Sequence, residues 1–364
     1  MGSYRYEILR ETTTDSLIME NNTREKKMNS NVYGIDLGTC NMKIYCKTSS
    51  KILNEKNTIA LVKKDQIYAY GDAAYAMYEK APETINVTFP VISGVIADFN
   101  NLQTMLQMYL EEHMKGKIRG AEFIVAVPTD ITDVEKRAFF EMFYKSKLKP
   151  KSVLLCEKPI ADAVGLGLDV NEPTGIMVVD IGADTTEISV ISLGGLVLSD
   201  LLHFGGNRID ESIITYVKRT YNLVIGQKTA QALKEKLGSG IPGNTETMVI
   251  VGRDVVSGLP IEMEITGEVV YEAIKDNLNS ICNSIKMILE KTHRSLQRYI
   301  HSGIYITGGS SQIHNLSQLF KDITGIEINT CEEPEECVVR GLVKIVSDQK
   351  YKHLAFSMKN KILK

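Results

Sequence analysis

The sequence lacks the long apolar runs and the one-sided charge that mark several classes of protein. No stretch approaches the ~20 apolar residues that span a bilayer. The first residues carry no apolar leader segment, so we expect neither a membrane-spanning helix nor a signal peptide. The formal net charge is only -3 at pH 7. Because proteins that bind nucleic acid usually carry a basic surface, we expect no nucleic-acid partner.

Paired cysteines and clustered histidines are also missing. The six cysteines form no CxxC pair, and the six histidines are scattered along the chain. These spacings do not match the usual zinc sites. We expect reduced thiols in a cytoplasmic protein, because structural disulfides belong to oxidising compartments.

What is present is the composition of an ordinary globular protein. The chain has 364 residues, of which 43% are hydrophobic and 24% charged, and this length is enough for two domains with buried cores. Residues 1–30 differ from the rest, since they are polar and have no clear period. We predict a disordered extension or tag there, with the folded part starting near residue 31.

Two predicted β-hairpins carry a shared turn pattern. The runs VYGID (32–36) and MKIYC (42–46) flank LGTCN, whereas IMVVD (176–180) and EISVIS (187–192) flank IGADTT. Both turns read Asp, aliphatic, Gly, and they lie 144 residues apart. A third apolar run with a glycine turn follows at IYITGGSS (304–311). This weak repeat predicts two related domains that face one cleft.

Helical patterns lie between these turns. Apolar spacing predicts helices at 101–115, 133–148, 209–221 and 270–291. Thr132, followed three residues later by Glu135, has the pattern of an N-cap with its capping glutamate. Because strands, helices and glycine turns alternate, the predicted fold class is α/β.

The two hairpin turns have the chemistry of a phosphate site. Glycine lets the backbone approach a ligand closely, and consecutive backbone N–H groups form an anion-binding concavity. Thr39 and Asn41 add side-chain donors, and Asp36 and Asp180 are carboxylates suited to Mg²⁺. One glycine turn alone is usually only a turn, and one aspartate at a strand end is usually a cap. The case therefore depends on the order of the three turns.

Seven stretches of the sequence resemble the MreB family, prokaryotic relatives of actin and of the DnaK-type chaperone ATPase domain. The resemblance runs from Tyr33 to Val346. The stretches are GIDLGTCNMKIY (34–45), GVIADF (94–99), VAVPTDITDVEKRA (125–138), PTGIMVVDIGADTTEISVISLGGLV (173–197), NLVIGQKTA (222–230), VGRDVVSGLP (251–260) and EEPEECVVRG (332–341).

The resemblance implies an actin-like ATPase fold, with two related domains around a nucleotide cleft and a smaller subdomain in each. Domain I would span 31–174 with a return of 331–348, domain II would span 175–330, and 349–364 would form a basic tail. ATP and Mg²⁺ are the implied cofactors, with Asp36 and Asp180 organising the metal. The implied nucleotide contacts are Thr39, Cys40, Asn41, Gly182, Asp184, Thr185, Gln231, Lys234, Gly308, Gly309 and Ser310.

Hydrolysis is assigned by the same resemblance. Glu135 would position the attacking water with help from Thr185. The alternative is that Glu135 serves only as the capping-box partner of Thr132.

Three departures from the family pattern bear on turnover. Ala183 and Asp184 replace two glycines of the second loop, Lys158 replaces one of two acids before a proline, and Ser310 ends a turn that is usually TGGG. Asp184 brings a negative charge towards the phosphates, which Lys158 would offset if the two met. We expect a slow or specialised ATPase.

The implied function is an ATP-dependent cytoskeletal filament that sets rod shape by guiding cell-wall synthesis. Its partners would be other copies of itself, membrane proteins of the cell-wall elongation machinery and the inner membrane surface, so the protein would be cytoplasmic and peripheral to the inner face of the membrane. Alternatives are a filament for segregation or organelle positioning, a monomeric chaperone-type ATPase, and a scaffold that binds nucleotide without turnover.

Two segments are candidates for membrane contact. The loop KGKIRGAE (115–122) is basic and offers a single apolar residue, Ile118. In 350–364, apolar residues at helical spacing are surrounded by lysines, a pattern that favours either a helix lying on anionic lipid or a terminal helix packed on its own domain. The apolar positions are Tyr351, Leu354, Ala355, Met358 and Ile362.

Overall fold

The computed structural model describes residues 31–63, 66–114, 118–300 and 303–359. The predicted extension 1–30 and the last five residues of the basic tail lie outside this part of the chain. Among the residues described, no helix is long and apolar enough to cross a membrane.

Strands make up most of the framework that holds the cleft. In chain order they are β1 (Val32–Leu37), β2 (Asn41–Cys46), β3 (Lys51–Lys56), β4 (Ile59–Val62), β5 (Gln66–Tyr70), β6 (Ile85–Thr88), β7 (Val91–Ile92), β8 (Val95–Ile96), β9 (Glu122–Val127), β10 (Ser152–Glu157), β11 (Ile176–Ile181), β12 (Thr186–Ser192), β13 (Gly195–Leu202), β14 (Leu223–Val224), β15 (Thr247–Asp254), β16 (Pro260–Thr266), β17 (Ile304–Thr307) and β18 (Ile328–Asn329).

The α-helices alternate with these strands. They are α1 (Gly71–Met77), α2 (Phe99–His113), α3 (Asp133–Tyr144), α4 (Lys158–Gly165), α5 (Gly206–Tyr221), α6 (Gln227–Leu237), α7 (Gly267–Lys291), α8 (Arg294–Ile300), α9 (Leu316–Thr324) and α10 (Cys337–Ser347). The four helices predicted from apolar spacing are confirmed as α2, α3, α5 and α7, with ends moved by no more than a turn or so. Thr132 caps α3 as predicted, and Glu135 completes the capping box.

Two five-stranded sheets share one topology. The first has the order β10-β9-β1-β2-β3 and the second the order β18-β17-β11-β12-β13. In each sheet the central strand is antiparallel to its hairpin partner and parallel to its other neighbour. The repeated Asp-aliphatic-Gly turn therefore lies at the same place in both sheets, at the end of β1 and of β11. Smaller sheets, β5-β4-β6 and β14-β15-β16, and the β7-β8 hairpin complete the strands.

Glycines allow helix α10 to pack closely against the first sheet and helix α4. A Cβ on Gly34, in β1, would lie 2.9 Å from Val343 Cγ2. A Cβ on Gly341 would lie 1.8 Å from the carbonyl oxygen of Ala161, and one on Gly165 would lie 2.0 Å from that of Cys337. The chain thus returns after β18 to cover β1.

Three apolar clusters form the core. One lies within the first sheet and helices α2 and α3, and another within the second sheet and helices α5 to α7. The third joins the two halves, with Ile124 from β9, Val178 from β11 and Leu342 from α10 all buried. Burial of apolar surface stabilises the fold by about 25 cal/mol per Å², so this third cluster holds the two sheets together beneath the cleft.

The helix predicted in 350–364 is wrong for the described part. Residues 352–354 form one short 3-10 turn, and Phe356 then pairs with Leu155 at the edge strand β10 through two backbone hydrogen bonds of 2.8 and 2.9 Å. Tyr351, Leu354 and Met358 are buried. The alternative of a tail packed on its own domain is the one observed, because an edge strand offers unpaired backbone groups that an extended segment can satisfy.

Candidate functional site

The first hairpin loop is a tight turn held by a neighbouring segment. A Cβ on Gly38 would lie 2.8 Å from the carbonyl oxygen of Asn41, so the turn closes too tightly for a side chain there. Gly38 does not have positive φ, and close approach is therefore the reason for glycine. Asn57 Nδ2 donates to the carbonyl oxygen of Gly38 at 2.8 Å, and Asn57 N donates to that of Cys40 at 2.9 Å.

A lysine that the sequence reasoning missed lies beside this loop. Lys56 Nζ lies 3.2 Å from Cys40 Sγ and 3.1 Å from Asn41 Oδ1. Asn41 Nδ2 donates to Asn54 Oδ1 at 2.7 Å. The side chains of Cys40 and Asn41 therefore face β3, and Lys56 adds positive charge where we predicted a phosphate. Thr39, in the same turn, is half-buried.

The second hairpin loop is fixed against helix α5. Gly182 N donates to the carbonyl oxygen of Thr185 at 2.8 Å, which closes the turn. The carbonyl oxygen of Gly182 accepts from Gly206 N at 3.0 Å, and that of Ala183 accepts from Asn207 N at 2.8 Å. Ala183 does not have positive φ, so an alanine occupies this position without left-handed strain.

Asp184 links the two halves of the molecule. Its Oδ1 accepts from Asn207 Nδ2 at 2.7 Å, and its Oδ2 accepts from the backbone N of Ser93 at 3.0 Å. Ser93 belongs to the β7–β8 turn, whereas Asn207 lies in α5. Lys158, which would have offset this charge if the two had met, pairs with Asp180, and Asp184 is held by these two donors instead.

Lys158, at the start of α4, forms a buried ion pair with Asp180 of β11. Its Nζ lies 2.6 Å from Asp180 Oδ2, and the two side chains are 16% and 5% exposed. Burial alone would lower the pKa of Lys158. The surrounding carboxylates, led by Asp180 and Asp36, outweigh it and hold that pKa well above its usual value. Lys158 is therefore a permanent cation at this position.

Two further acids are buried around the same pair. Burial raises the pKa of Glu187 to about 8, against the opposing charge of Lys158. Burial also raises the pKa of Asp162 well above its usual value, with a further contribution from the charge of Asp180. Neither oxygen of Asp162 has a hydrogen-bond partner. Both shifts favour the protonated acid, as expected for carboxyl groups buried away from water.

The residues predicted to hold Mg²⁺ fit that metal poorly. Asp180 Oδ2 is taken by Lys158, and its Oδ1 lies against the backbone of Gly308, where a Cβ would come within 2.2 Å. Asp36 Oδ2 lies 3.8 Å from Lys43 Nζ, its cross-strand partner. Among the residues described, no group of three or more His, Cys, Asp or Glu is placed to hold a metal ion. Each predicted ligand thus faces an ammonium group instead.

The third turn meets the second loop, as its sequence order suggested. Gly308 has φ +82°, a left-handed conformation that favours glycine. Ser310 Oγ donates to the carbonyl oxygen of Gly182 at 3.0 Å. Gly309 starts a short 3-10 helix, and a Cβ added to it would have no atom within 4 Å.

Helix α6 faces helix α1 across the opening of the cleft. Gln231 Oε1 accepts from the hydroxyl of Tyr75 at 2.9 Å, and Lys228 Nζ donates to the carbonyl oxygen of Tyr75 at 2.6 Å. Lys234 Nζ lies 2.9 Å from Asp210 Oδ1 and donates to the carbonyl oxygen of Gly206 at 3.0 Å. Gln231 and Lys234, both predicted nucleotide contacts, thus lie three residues apart on α6, and Lys234 contacts the start of α5.

Glu135 forms its hydrogen bonds with Thr132 and not with the hairpin loops. Its Oε2 accepts from both the backbone N and the hydroxyl of Thr132, at 2.7 Å each. Those two hydrogen bonds, the hydroxyl first, lower the pKa of Glu135. Thr185 is buried, and its methyl group lies near the Cα of Gly94. Between the described residues Glu135 and Thr185 there is no direct hydrogen bond, and the capping role of Glu135 is the one observed.

Two matching sheets, each presenting a glycine hairpin to a shared cleft, define a protein of the actin-like class. Known proteins agree with this assignment. The profile of the MreB/Mbl protein family matches residues 30–353. The chain belongs to the MreB/Mbl family.

Curated relatives match along most of their length. The cell shape-determining protein Mbl of Bacillus subtilis is 37% identical over 312 residues, covering 85% of this chain and 93% of the relative. The cell shape-determining protein MreB of Escherichia coli is 38% identical over 324 residues, covering 86% of this chain and 92% of the relative.

Solved structures match the fold. MreB 5 of Spiroplasma citri bound to AMPPNP has a TM-score of 0.84 and 31% identity, covering 90% of this chain and 98% of that protein. The MamK double helical filament has a TM-score of 0.75 at 22% identity, covering 88% of this chain and 99% of that one, a likeness of fold.

Proposed function

We propose that this chain is an ATP-binding actin-like filament protein that determines cell shape and hydrolyses ATP slowly. One observation carries the proposal: the charges of Asp36 and Asp180, which precede the two hairpin loops, both act on Lys158, and the Gly308–Ser310 turn contacts the second loop. A relative from Spiroplasma citri with the same fold holds AMPPNP.

Nucleotide binding would use backbone groups and lysines more than acids. The turn amides of the first and second loops and the ammonium of Lys56 provide donors for phosphate oxygens. Gln231 and Lys234 would flank the adenosine. Domains at 31–174 with 331–348 and at 175–330 would close around the ligand, and ATP or ADP would favour different degrees of closure.

Hydrolysis would be slow for a geometric reason. Phosphoryl transfer to water depends on positioning and charge stabilisation. We propose that Glu135 orients the water with Thr185, but the Glu135 carboxylate must first leave Thr132. Mg²⁺ at Asp36 and Asp180 remains a prediction, and no step is assigned to it because both carboxylates face lysines.

Self-association would use the exposed apolar tip of the β15–β16 hairpin. Val256 and Leu259 are 85% and 64% exposed there. Glu262 and Glu264 stand opposite the exposed Val251 and Val249 on the paired strands. Carboxylates among the apolar side chains favour another protein, here a second copy, over an anionic lipid surface. Filaments of this kind would guide cell-wall synthesis along the inner face of the membrane with elongation-machinery partners.

The test is sedimentation of the purified protein with ATP, with and without anionic liposomes, alongside phosphate release. We expect pelleting in ATP and slow release. A monomer that hydrolyses ATP would favour a chaperone-type ATPase, and pelleting without release would indicate a scaffold that binds nucleotide without turnover. Pelleting that requires liposomes would place the working surface on the membrane.

A further inference from the structure

We propose that the Lys158 ammonium supplies the positive charge that a divalent cation would bring to the nucleotide phosphates, so that this chain binds ATP and ADP without Mg²⁺. The inference rests on the proposed nucleotide binding and concerns how the cleft balances phosphate charge.

Lys158 occupies the meeting point of the two sheets. It is the first residue of α4, directly after β10 of the first sheet, yet it pairs at 2.6 Å with Asp180 at the end of β11 in the second. Its side chain is 16% exposed, so it is not fully enclosed. Asp180 lies beside the second hairpin loop, which places the ammonium next to the turn that would hold phosphate.

The same geometry leaves little room for a metal. Asp180 has Lys158 on one oxygen and Gly308 on the other. Asp36, the second candidate ligand, has Lys43 at 3.8 Å. A divalent cation approaching either carboxylate would meet an ammonium charge at close range, in a buried setting where like charges repel strongly.

Reversing the charge at position 158 tests the proposal directly. Lys158→Glu changes the local charge by two units, which is the charge of one Mg²⁺. It also removes the cation that blocks Asp180. The variant should therefore bind nucleotide only when a divalent ion replaces the lost charge. If Lys158 merely stabilised the fold, its loss would lower stability without creating a metal requirement.

The experiment is a titration of ATP and of ADP by calorimetry, in excess EDTA and in excess Mg²⁺. For the natural chain we expect dissociation constants that agree within about threefold between the two conditions. For Lys158→Glu we expect Mg²⁺ to tighten binding by about tenfold or more. Lys158→Met also removes the ammonium and unblocks Asp180, so it should weaken binding in EDTA, and Mg²⁺ should restore part of the loss.

A matched control and a folding check accompany the titration. Lys151→Glu makes the same change of charge just before strand β10, whereas Lys158 lies just after it. Lys151 is 63% exposed and pairs with Glu122 on the surface, so this variant should behave like the natural chain. Thermal melts establish that each variant folds. If Lys158→Glu fails to fold, the natural chain in EDTA and the Lys158→Met variant still decide the question.

The outcomes separate the two proposals. Binding by the natural chain only with Mg²⁺ would overturn the role of Lys158 and leave the nucleotide-binding function intact. No binding in either condition would remove the proposed function and this inference together. Metal-independent binding that Lys158→Glu makes metal-dependent would support both.

Discussion

At the scale of single residues, Gly308 shows how closely the third turn is fitted to the second sheet. Its φ of +82° is one that residues with a side chain rarely adopt. A Cβ there would meet both Asp180 Oδ1 and the carbonyl oxygen of Ile181, at 2.2 and 2.5 Å. Its neighbour Gly309 has open space instead.

Gly308→Ala should therefore destabilise the protein, whereas Gly309→Ala should not. We expect a loss of about 1–3 kcal/mol or more for the first, from strain and displaced backbone, and less than about 0.5 kcal/mol for the second. Urea unfolding followed by circular dichroism measures both. Equal stability of the two variants would mean that the turn relaxes freely.

The raised pKa of Asp162 predicts a pH dependence of stability. Burial raises the pKa of Asp162 above its unfolded value of about 3.9. Folding then takes up a proton between these two values, so stability falls as pH rises through that window. Asp162→Asn removes this dependence, so in urea unfolding the stability of the variant should rise relative to that of the natural chain as pH increases above about 3.9.

Asp169 provides a control, because its pKa is shifted in the opposite direction to that of Asp162. Its pKa is lowered, first by the hydrogen bond from Lys350, so its contribution is present above the unfolded pKa and is lost as pH falls. Asp169→Asn should lose stability at neutral pH and approach the natural chain in acid. A parallel response of the two variants would contradict a raised pKa for Asp162.

At the scale of elements, helix α3 combines a structural and a proposed catalytic role in one side chain. Glu135 completes a capping box with Thr132, and glutamine can take the same place. Substitution by glutamine therefore separates the two roles.

Glu135→Gln should keep the stability of the natural chain and abolish single-turnover phosphate release if Glu135 acts on water. Glu135→Ala should in addition lose about 0.3–1.5 kcal/mol of unfolding free energy through the lost cap. Unchanged release by the glutamine variant would leave Glu135 as a capping residue alone.

At the scale of the whole molecule, the proposed filament depends on one exposed tip. Leu259→Asp places a charge at the β15–β16 hairpin and should raise the critical concentration for pelleting by about tenfold or more, if the tip is a hot spot of the contact. Leu193→Asp is the matched control, because Leu193 is 70% exposed on the β12–β13 turn. Equal pelleting of the two variants would place the contact elsewhere.

The parts of the site that could be predicted from the sequence are those set by local patterns. The repeated turns at Asp36 and Asp180 are local patterns, and each lies at the end of its predicted strand. The bonds from Ser93 to Asp184 and from Tyr75 to Gln231 join residues 91 and 156 positions apart. No local period marks such pairs, since they depend on how separate elements pack.

The sequence by itself determined the alternation of strands and helices, the two hairpins with their shared turn, and the capped start of α3, because backbone propensity and apolar spacing act over a few residues. Only the tertiary structure decided that Lys158 meets Asp180 and not Asp184, and that Phe356 of the lysine-rich tail pairs with β10 in an extended conformation. Both outcomes depend on which charges and which free edge another part of the chain presents, and that is fixed only when the two sheets close on their common core.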